Sequence, residues 1–253
     1  MELKIVSWNC HYGLDYNKLK KLLTTADFGK DVSLFAFQEI LENEYIDIAD
    51  CDEAAKYKYR HWYGDHQEFG DCHVPRGAEG DLGTALMSCE YKMHRFDQGR
   101  IKFRYVIPYI MLKDDNASFI LIHVWTKGMP DGYIEPVYKA LEHYTSLFEE
   151  NETYKNLPMI LIGDFNFGVE FDNPFFEKFD SELEKYGFKK NDAKIKENDP
   201  IQTFYFPRYP DRKYFNDCIY TKNCTVKSFK IGKESEWKKF SDHRPIMAEI
   251  EFP

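Results

Sequence analysis

The stretch Met159-Ile-Leu-Ile-Gly-Asp-Phe-Asn166 decides the fold class. Its apolar run has the length of a buried strand, and it ends at a glycine that is followed by a carboxylate and an amide. Because alternate side chains of a strand point to opposite faces, Asp164 and Asn166 face the same way while Phe165 points into the core. The stretch therefore predicts a strand that presents two polar side chains at its open end.

Apolar runs of similar length recur along the chain, at 3–8, 34–37, 84–87, 106–112, 119–124, 217–220 and 246–252. Helical patterns lie between some of them, at 17–24, 137–150 and 173–186. Strands and helices do not alternate strictly, which favours an α/β fold in which two mixed sheets pack together under flanking helices. Since no repeat or Pro/Gly/Ser-rich linker interrupts the pattern, we expect one domain that covers residues 1–253.

Composition narrows the function class. The chain has 253 residues, of which 43% are hydrophobic, so it can bury a large core. It contains no apolar stretch long enough for a signal peptide or a membrane span, and its six cysteines lack paired spacing, so we expect a cytoplasmic monomer with free thiols. A net charge of −9 argues against a protein that coats nucleic acid through bulk electrostatics.

Polar side chains follow the strands at five places, which are Asn9, Gln38-Glu39, His123, Asp164 to Asn166 and Asp242-His243. Strand ends hold side chains firmly while leaving their tips open to a ligand. Oxygen ligands from Asn, Asp and Glu without cysteine suit a hard cation such as Mg²⁺ or Mn²⁺ better than zinc. We expect Gln38 to be a structural amide and not a ligand.

Four short motifs, in this order, resemble the endonuclease/exonuclease/phosphatase superfamily, which includes deoxyribonuclease I and exonuclease III. They are Trp8-Asn9, Gln38-Glu39, Gly163-Asp-Phe-Asn166 and Ser241-Asp-His-Arg-Pro245. Each motif is weak alone, but their shared order at strand ends is specific. The resemblance implies a four-layered α/β sandwich, like that of deoxyribonuclease I. The segment from Val124 to Gly128 is most similar to small bacterial members.

The resemblance also implies a role for each matching position. Glu39 and Asn9 match metal-site residues, and Asp242 matches a residue near the metal. Asp164 matches the residue that orients or deprotonates the attacking water, and Asn166 the one that holds water and phosphate. His243, paired with Asp217, matches the imidazole that contacts the scissile phosphate. His123 matches a second histidine of the nuclease and phosphodiesterase branches, which with His243 would clamp the phosphoryl oxygens.

Other positions carry open alternatives. Thr203 matches a position that often contacts phosphate, yet it could be an ordinary strand threonine, and Trp125 is a further candidate substrate contact. Arg104 could meet phosphate with Arg100 and Lys102, or the three could form a solvated edge. Two departures from the family pattern are His11, where relatives often carry Asn or Asp, and Asn216, which replaces an apolar residue.

The segment from Glu42 to Gly83 shows no clear periodicity, so we expect a long surface excursion that shapes substrate access. Its aromatic residues, Tyr57, Tyr59, Trp62 and Tyr63, could stack on bases or simply pack beneath the loop. Its remaining candidates for a zinc site, Cys51, His66, Cys72 and His73, fit no common spacing and are better explained as free residues.

These observations predict a Mg²⁺- or Mn²⁺-dependent phosphoester hydrolase that attacks phosphodiester bonds with an activated water. A nuclease acting on DNA or RNA is the first expectation, and a phosphatase or phosphodiesterase of a small molecule or lipid headgroup is the alternative. A non-catalytic binding module is disfavoured because every core position of the family motif is filled.

Overall fold

The computed structural model describes residues 2–49, 52–64, 82–96, 106–126 and 133–253. Two mixed sheets form its centre. The first contains β1 (Glu2–Asn9), β2 (Leu34–Leu41), β3 (Tyr59–Gly64), β4 (Leu82–Ser88), β11 (Thr225–Ile231) and β12 (Ile246–Glu251). The second contains β5 (Lys92–Arg95), β6 (Val106–Lys113), β7 (Asn116–Trp125), β8 (Met159–Asp164), β9 (Lys189–Lys190) and β10 (Asp217–Lys222).

Helices connect and cover these sheets. They are α1 (Tyr16–Thr24), α2 (Ala26–Gly29), α3 (Glu42–Ala49), α4 (Glu135–Glu150), α5 (Phe175–Glu184), α6 (Asp192–Ile195) and α7 (Glu234–Trp237), with a 3₁₀ turn at Asp52–Ala54. The sequence explains the start of α1, because the Asp15 side chain accepts a hydrogen bond from the Lys18 backbone N–H and so caps the helix. None of the helices in the described ranges is long and apolar enough to cross a membrane.

The strand order of the first sheet is β11-β12-β1-β2-β4-β3, and that of the second is β5-β6-β7-β8-β10-β9. In each sheet one central pair is parallel, β1 with β2 and β7 with β8, whereas the other pairs are antiparallel. The two parallel pairs place the ends of β1, β2 and β8, which carry polar side chains, where a site can form.

The alternation of side chains along β1 builds the layers. Leu3 and Ile5 belong to a buried cluster that also contains residues of the second sheet, so this face of β1 lies between the sheets. Val6 and Trp8 pack in another cluster with residues of α1 and α2, on the opposite face. On the far side, α4 packs its apolar face into the cluster that contains the second sheet.

The predicted four-layered α/β sandwich is confirmed: helices, sheet, sheet and helices succeed one another. All eight predicted strands and the three predicted helices are present, and their observed ends differ from the predicted ends by a few residues. The prediction of one irregular excursion from Glu42 to Gly83 is wrong where this segment is described, because α3 and the edge strand β3 lie within it. Strand β3 is half-buried at nearly every position, so it shows no alternation that a sequence pattern could reveal.

Candidate active site

Polar strand ends from both sheets meet at one edge of the sandwich. In the first sheet β1 runs beside β12 with Ser7 opposite Ile246, which places the end of β1 beside the turn that precedes β12. In the second sheet Asp164, the last residue of β8, lies opposite Asp217, the first residue of β10. Hydrogen bonds between side chains then join the two sheets at this edge, as the next paragraphs describe.

Asp164 lies at the centre and is fully buried. Its Oδ2 accepts hydrogen bonds from the side-chain amides of Asn9, at 2.9 Å, and Asn166, at 3.0 Å. Its Oδ1 accepts from the Asn166 backbone N–H at 2.9 Å. Burial raises the pKa of Asp164 to about 7, against the opposing effect of the nearby His243. The carboxyl group can therefore release or take up a proton near neutral pH.

Local sequence explains the conformation around Asp164. Gly163 has a φ of +144°, and a Cβ at this position would collide with the carbonyl oxygen of Val124 on the neighbouring strand. Asn166 adopts a φ of +50°, a left-handed conformation that asparagine tolerates better than most residues. Its side chain also donates to the carbonyl oxygen of Thr126 at 2.7 Å. Glycine and asparagine at these two positions therefore let the chain turn while the carboxylate stays fixed.

His243 is the imidazole of the site and is only 4% exposed. Its Nδ1 lies 2.8 Å from Asp217 Oδ2, and its Nε2 lies 3.9 Å from Asp164 Oδ2. Burial alone lowers the pKa of His243, but the two carboxylates, Asp217 first, outweigh it and raise this pKa to about 10. The ring is therefore an imidazolium at neutral pH, and Nδ1 donates its proton to Asp217.

Asn9 and Glu39 form the side of the site that belongs to the first sheet. The Asn9 side-chain amide donates to Glu39 Oε1 at 3.1 Å as well as to Asp164. Glu39 has a φ of +58° and lies at a β-bulge between Gln38 and Ile40. A left-handed glutamate inside a strand is strained, and such strain persists only where the surrounding structure enforces it.

Asp242 precedes His243 in the chain and forms an ion pair with His11. Its Oδ2 is 2.9 Å from His11 Nδ1, and the His11 side chain is 48% exposed. Burial alone would raise the pKa of Asp242, but the hydrogen bond from His11 and the charge of His243 hold it below its ordinary value. His11 therefore pairs with a carboxylate of the site instead of contributing an oxygen ligand as Asn or Asp would.

The residues at this edge fit a divalent cation. The site contains four carboxylates, those of Glu39, Asp164, Asp217 and Asp242. Two imidazoles, those of His11 and His243, pair with some of them. Two of the carboxylate oxygens, Asp217 Oδ1 and Asp242 Oδ1, are buried without a hydrogen-bond partner among the described residues. Buried carboxylate oxygens of this kind suit Mg²⁺ or Mn²⁺. Glu39, with Asn9 and Asp242, would hold such an ion.

A second grouping, of Asp164, Asp217 and His243, also brings three potential ligand atoms within 4.8 Å of one another. One of its nitrogens is already engaged, since His243 Nδ1 donates to Asp217. A protonated imidazole has no lone pair for a metal. We therefore interpret this group as a hydrogen-bonded acid and base set, and place the cation on the side of Glu39.

Three predicted site residues are buried in contacts outside the group described above. His123 is fully buried and lies against Gln38 between the sheets. Trp125 is 1% exposed and packs with Leu41 and Leu82. Thr203 is also buried, and its Oγ1 accepts the backbone N–H groups of residues 216 and 217 at 2.8 and 2.9 Å.

The buried position of Thr203 supports a structural role, since its hydroxyl holds the start of β10 and thereby Asp217. The substrate contacts expected of Thr203 and Trp125 find no support in their burial. Arg104, with Arg100 and Lys102, lies outside the described residues, as do Cys51, His66, Cys72 and His73.

Sequence reasoning missed two further contacts of His243. The Ser241 hydroxyl donates to the Asn9 carbonyl oxygen at 2.8 Å and accepts the His243 backbone N–H at 3.0 Å, so it ties the turn before β12 to the end of β1. The Phe204 ring packs on the His243 ring with centroids 4.7 Å apart. Ser241 stood within a recognised motif and could have been singled out, whereas nothing local to Phe204 points to this contact.

Asn216, the departure from the family pattern, has a definite contact in the structure. Its Oδ1 accepts the Gly168 backbone N–H at 2.8 Å, which fixes the loop that follows Asp164 and Asn166. An apolar residue could not make this bond.

No protein-family model matches the sequence, and a search of curated proteins finds no match. Solved structures do match. The fold is that of endonuclease/exonuclease/phosphatase proteins: one from Leptotrichia buccalis is 19% identical with a TM-score of 0.63, over 99% of this chain and 100% of the other. The resemblance found in the sequence is thus confirmed for the fold.

Two other similar structures carry more specific descriptions. One is the 3′ phosphatase NExo from Neisseria, bound to a product DNA hairpin, which is 15% identical with a TM-score of 0.62 over 99% of each chain. The other is a mannosyl-6-phosphatase from Bacteroides thetaiotaomicron, 16% identical with a TM-score of 0.63, over 99% of this chain and 100% of the other. At these identities the likeness concerns the fold alone.

Proposed function

We propose that this protein is a divalent-metal-dependent phosphoesterase whose substrate is a nucleic acid. The observation that carries the proposal is the buried group in which His243 lies between the carboxylates of Asp217 and Asp164, with Asn9 and Glu39 beside it. This arrangement combines a fixed positive charge, a carboxyl group with a pKa of about 7 and a place for a cation. Metal-assisted phosphoester hydrolysis uses all three.

Asp164 would accept the proton of the attacking water. Its carboxylate is held by three hydrogen bonds from Asn9 and Asn166, so it cannot rotate away from the reacting atoms. A base whose pKa lies close to the working pH is deprotonated in a large fraction of the molecules and is still basic enough to accept a proton from water. The Asn166 amide, which is itself fixed by the Thr126 carbonyl oxygen, would orient the water and a phosphate oxygen.

His243 would stabilise the negative charge that grows on the phosphoryl group. Its bond to Asp217 fixes the ring and keeps the proton on Nδ1, which leaves Nε2 to donate toward the site. A divalent cation bound by Glu39, Asn9 and Asp242 would neutralise a second phosphate oxygen. Without that cation the four carboxylates of the site would repel a phosphate, which is why we propose metal dependence.

Aromatic rings beside His243 favour a nucleic acid as substrate. Phe204 packs on His243 and lies near Phe206, with ring planes 29° apart. Phe206 and Tyr209 are 39% and 44% exposed, and the Arg212 guanidinium lies 5.0 Å from the Tyr209 ring centroid. Exposed rings with an arginine are suited to unpaired bases and their phosphates. The DNA product of the similar 3′ phosphatase agrees with this choice.

A phosphatase of a small phosphorylated molecule is the second candidate. The net charge of −9 favours it, since an enzyme that follows a polyanion gains from a basic surface. The similar mannosyl-6-phosphatase shows that this fold accommodates such a substrate. The chemistry at Asp164 and His243 would be the same for both candidates, so only the surrounding loops separate them.

Phosphoesterase activity is tested with Mg²⁺ and Mn²⁺ over plasmid DNA, single strands, RNA, bis-nitrophenyl phosphate and sugar or inositol phosphates. Asp164→Asn is the blank, and we expect it to lower kcat about 10³-fold or more with the fold intact, because the amide cannot take a proton. Asp180→Asn is the matched control, since Asp180 is a half-buried carboxylate on α5 that accepts the Tyr220 hydroxyl away from the site. Near-wild-type turnover by Asp164→Asn would refute the proposal.

The choice of nucleic acid is tested by Phe206→Ala and by salt. We expect Phe206→Ala to raise KM for a single strand about tenfold, because loss of base stacking costs about 1–3 kcal/mol per base. Tyr16→Ala, at another exposed ring, whose hydroxyl donates to Glu53, should leave KM unchanged. An unaltered KM in Phe206→Ala, together with activity that is insensitive to salt, would favour the small-molecule candidate.

A further inference from the structure

His123 faces an amide, whereas His243 faces two carboxylates of the site. The His123 ring is fully buried between the two sheets, and burial lowers the pKa of His123 to about 3, so the imidazole is neutral. Within the described chain it makes one hydrogen bond, in which its Nε2 lies 2.7 Å from the Gln38 side-chain nitrogen. Since that nitrogen is a donor, the ring accepts at Nε2 and carries its proton on Nδ1.

Gln38 is anchored on several sides. Its side-chain nitrogen also lies 3.0 Å from the Ser7 hydroxyl oxygen and 3.2 Å from the Ala36 carbonyl oxygen, so its two protons are shared among three acceptors, of which His123 Nε2 is the nearest. Its own backbone carbonyl accepts the Cys10 backbone N–H at 2.9 Å. Gln38 thus ties β2 to β1 in its own sheet and, through His123, to β7 in the opposite sheet.

The residue after Gln38 is Glu39, which has the strained φ of +58°. The other flank of this bulge is held as well, because the Trp62 indole N–H donates to the Ile40 carbonyl oxygen at 3.2 Å. A left-handed glutamate relaxes unless contacts on both flanks prevent it. On the Gln38 flank, the contact that comes from outside the first sheet is His123.

We propose that His123 is a positioning residue that acts through Gln38 to hold the Glu39 bulge in its cation-binding conformation. The inference rests on the proposed function, since it assigns a cation to Glu39. It differs from the role implied by the family resemblance, in which the histidine at this position clamps the phosphate. The accepting nitrogen of the His123 ring is occupied by Gln38, so this atom does not reach a phosphoryl oxygen without breaking that bond.

The test measures Mn²⁺ binding to metal-free protein by calorimetry, without substrate, and then kcat as a function of metal concentration. His123→Phe removes the accepting nitrogen at similar volume, and Gln38→Met removes the donor. We expect each to weaken Mn²⁺ binding about tenfold or more, in the range seen when a residue that orients a metal ligand is lost. We expect kcat to return close to the wild-type value when the metal is saturating.

The two residues act as one unit, so the double variant should bind Mn²⁺ no more weakly than either single variant. His123→Gln supplies a carbonyl oxygen that can accept from Gln38, and it should recover most of the affinity. Thr145→Val is the matched control. The Thr145 hydroxyl lies on α4, is buried, and has no hydrogen-bond partner in the described chain. The affinity of this variant for Mn²⁺ should equal that of the wild type.

An unchanged Mn²⁺ affinity in folded His123→Phe and Gln38→Met would overturn the proposal, as would a kcat that stays low at saturating metal. If His123→Phe fails to fold, the other two variants test the proposal. Gln38→Met should bind Mn²⁺ more weakly, and His123→Gln should retain most of the affinity. Wild-type protein that binds Mn²⁺ but hydrolyses no phosphoester would refute the proposed function alone. Wild-type activity with unchanged metal affinity in the variants would refute only the role of His123.

Discussion

His243, in the turn before β12, and His123, within β7, are both buried, yet one ring is charged and the other neutral. Asp217 and Asp164 face His243 and raise its pKa to about 10, in spite of the burial that opposes them. His123 faces the amide of Gln38, and burial lowers its pKa to about 3. The partner of the ring, and not its burial, therefore decides whether a buried histidine is a cation or a neutral hydrogen-bonding group.

In the proposed function, this difference assigns the two histidines to two tasks within one site. The charged ring lies at the open edge, where its proton can meet a phosphate oxygen. The neutral ring lies between the sheets, where a charge would be costly but a hydrogen bond can fix the backbone. Exchanging a carboxylate for an amide, or the reverse, should then convert the surroundings of one histidine into those of the other.

The largest effect is expected from Asp217→Asn, which gives His243 an amide partner like that of His123. The pKa of His243 should fall because its main favourable charge is lost, and kcat should fall about 10³-fold, or about 4 kcal/mol. Histidine ring signals in NMR titrations measure the pKa, and steady-state kinetics measure kcat. The comparison fails if the ring stays an imidazolium at pH 9 or if turnover remains within about twofold.

A control for this variant is needed because Asp217 is buried and its backbone N–H is bound by Thr203. Asparagine preserves that backbone bond and the side-chain volume, so we expect the cooperative unfolding transition to remain. Asp180→Asn removes a carboxylate from the same half of the sandwich without touching His243. Its kcat should match that of the wild type.

The reverse exchange, Gln38→Glu, should have the second largest effect. A carboxylate placed against His123 Nε2 favours the imidazolium, and we expect the pKa of His123 to rise by about two units, or about 2.7 kcal/mol. The measurement is an NMR titration of the metal-free variant between pH 3 and 8. A ring that remained neutral at pH 5 would show that burial dominates over the partner here.

Much of the fold could be predicted from the sequence, because its central strands are continuous apolar runs. The apolar run at the start of β8 indicates the length of this strand, and Gly163 and Asp164 mark its end. Four strands, β3, β5, β9 and β11, are absent from the sequence prediction, and the structure explains two of them, β3 and β9. The first is half-buried without alternation, and the second has only the residues Lys189–Lys190, so that tertiary contacts decide its conformation.

Asn9 and Asp164 could be predicted because each ends an apolar strand, and His243, in the turn before β12, could be predicted from its motif. Asn9, Asp164 and His243 are connected at one edge of the sandwich. The direction of the His123 side chain could not be predicted, since the sequence does not say which face of β7 lies against the other sheet. The contact of Phe204 with His243 arises from a loop, where no periodicity operates.

The smallest expected effect concerns stability in acid and distinguishes the neutral ring from its charged counterpart. Because the pKa of His123 is lowered to about 3, the folded protein keeps this ring neutral while the unfolded chain binds a proton below its ordinary value of about 6.5. Unfolding then takes up a proton, so the contribution of His123 is present above pH 6.5 and is lost as the pH falls toward 3.

His123→Gln removes this proton uptake and keeps an acceptor for Gln38. Between pH 6 and 4, the free energy of unfolding of the variant should therefore fall less steeply than that of the wild type, by about 1.4 kcal/mol per pH unit. Urea denaturation of the metal-free proteins at several pH values measures the two slopes. Asp164 and the other titrating groups are common to both proteins, so their contributions cancel in the difference. Parallel slopes would mean that His123 already exchanges protons in the folded state, and the contrast between the two histidines would then be lost.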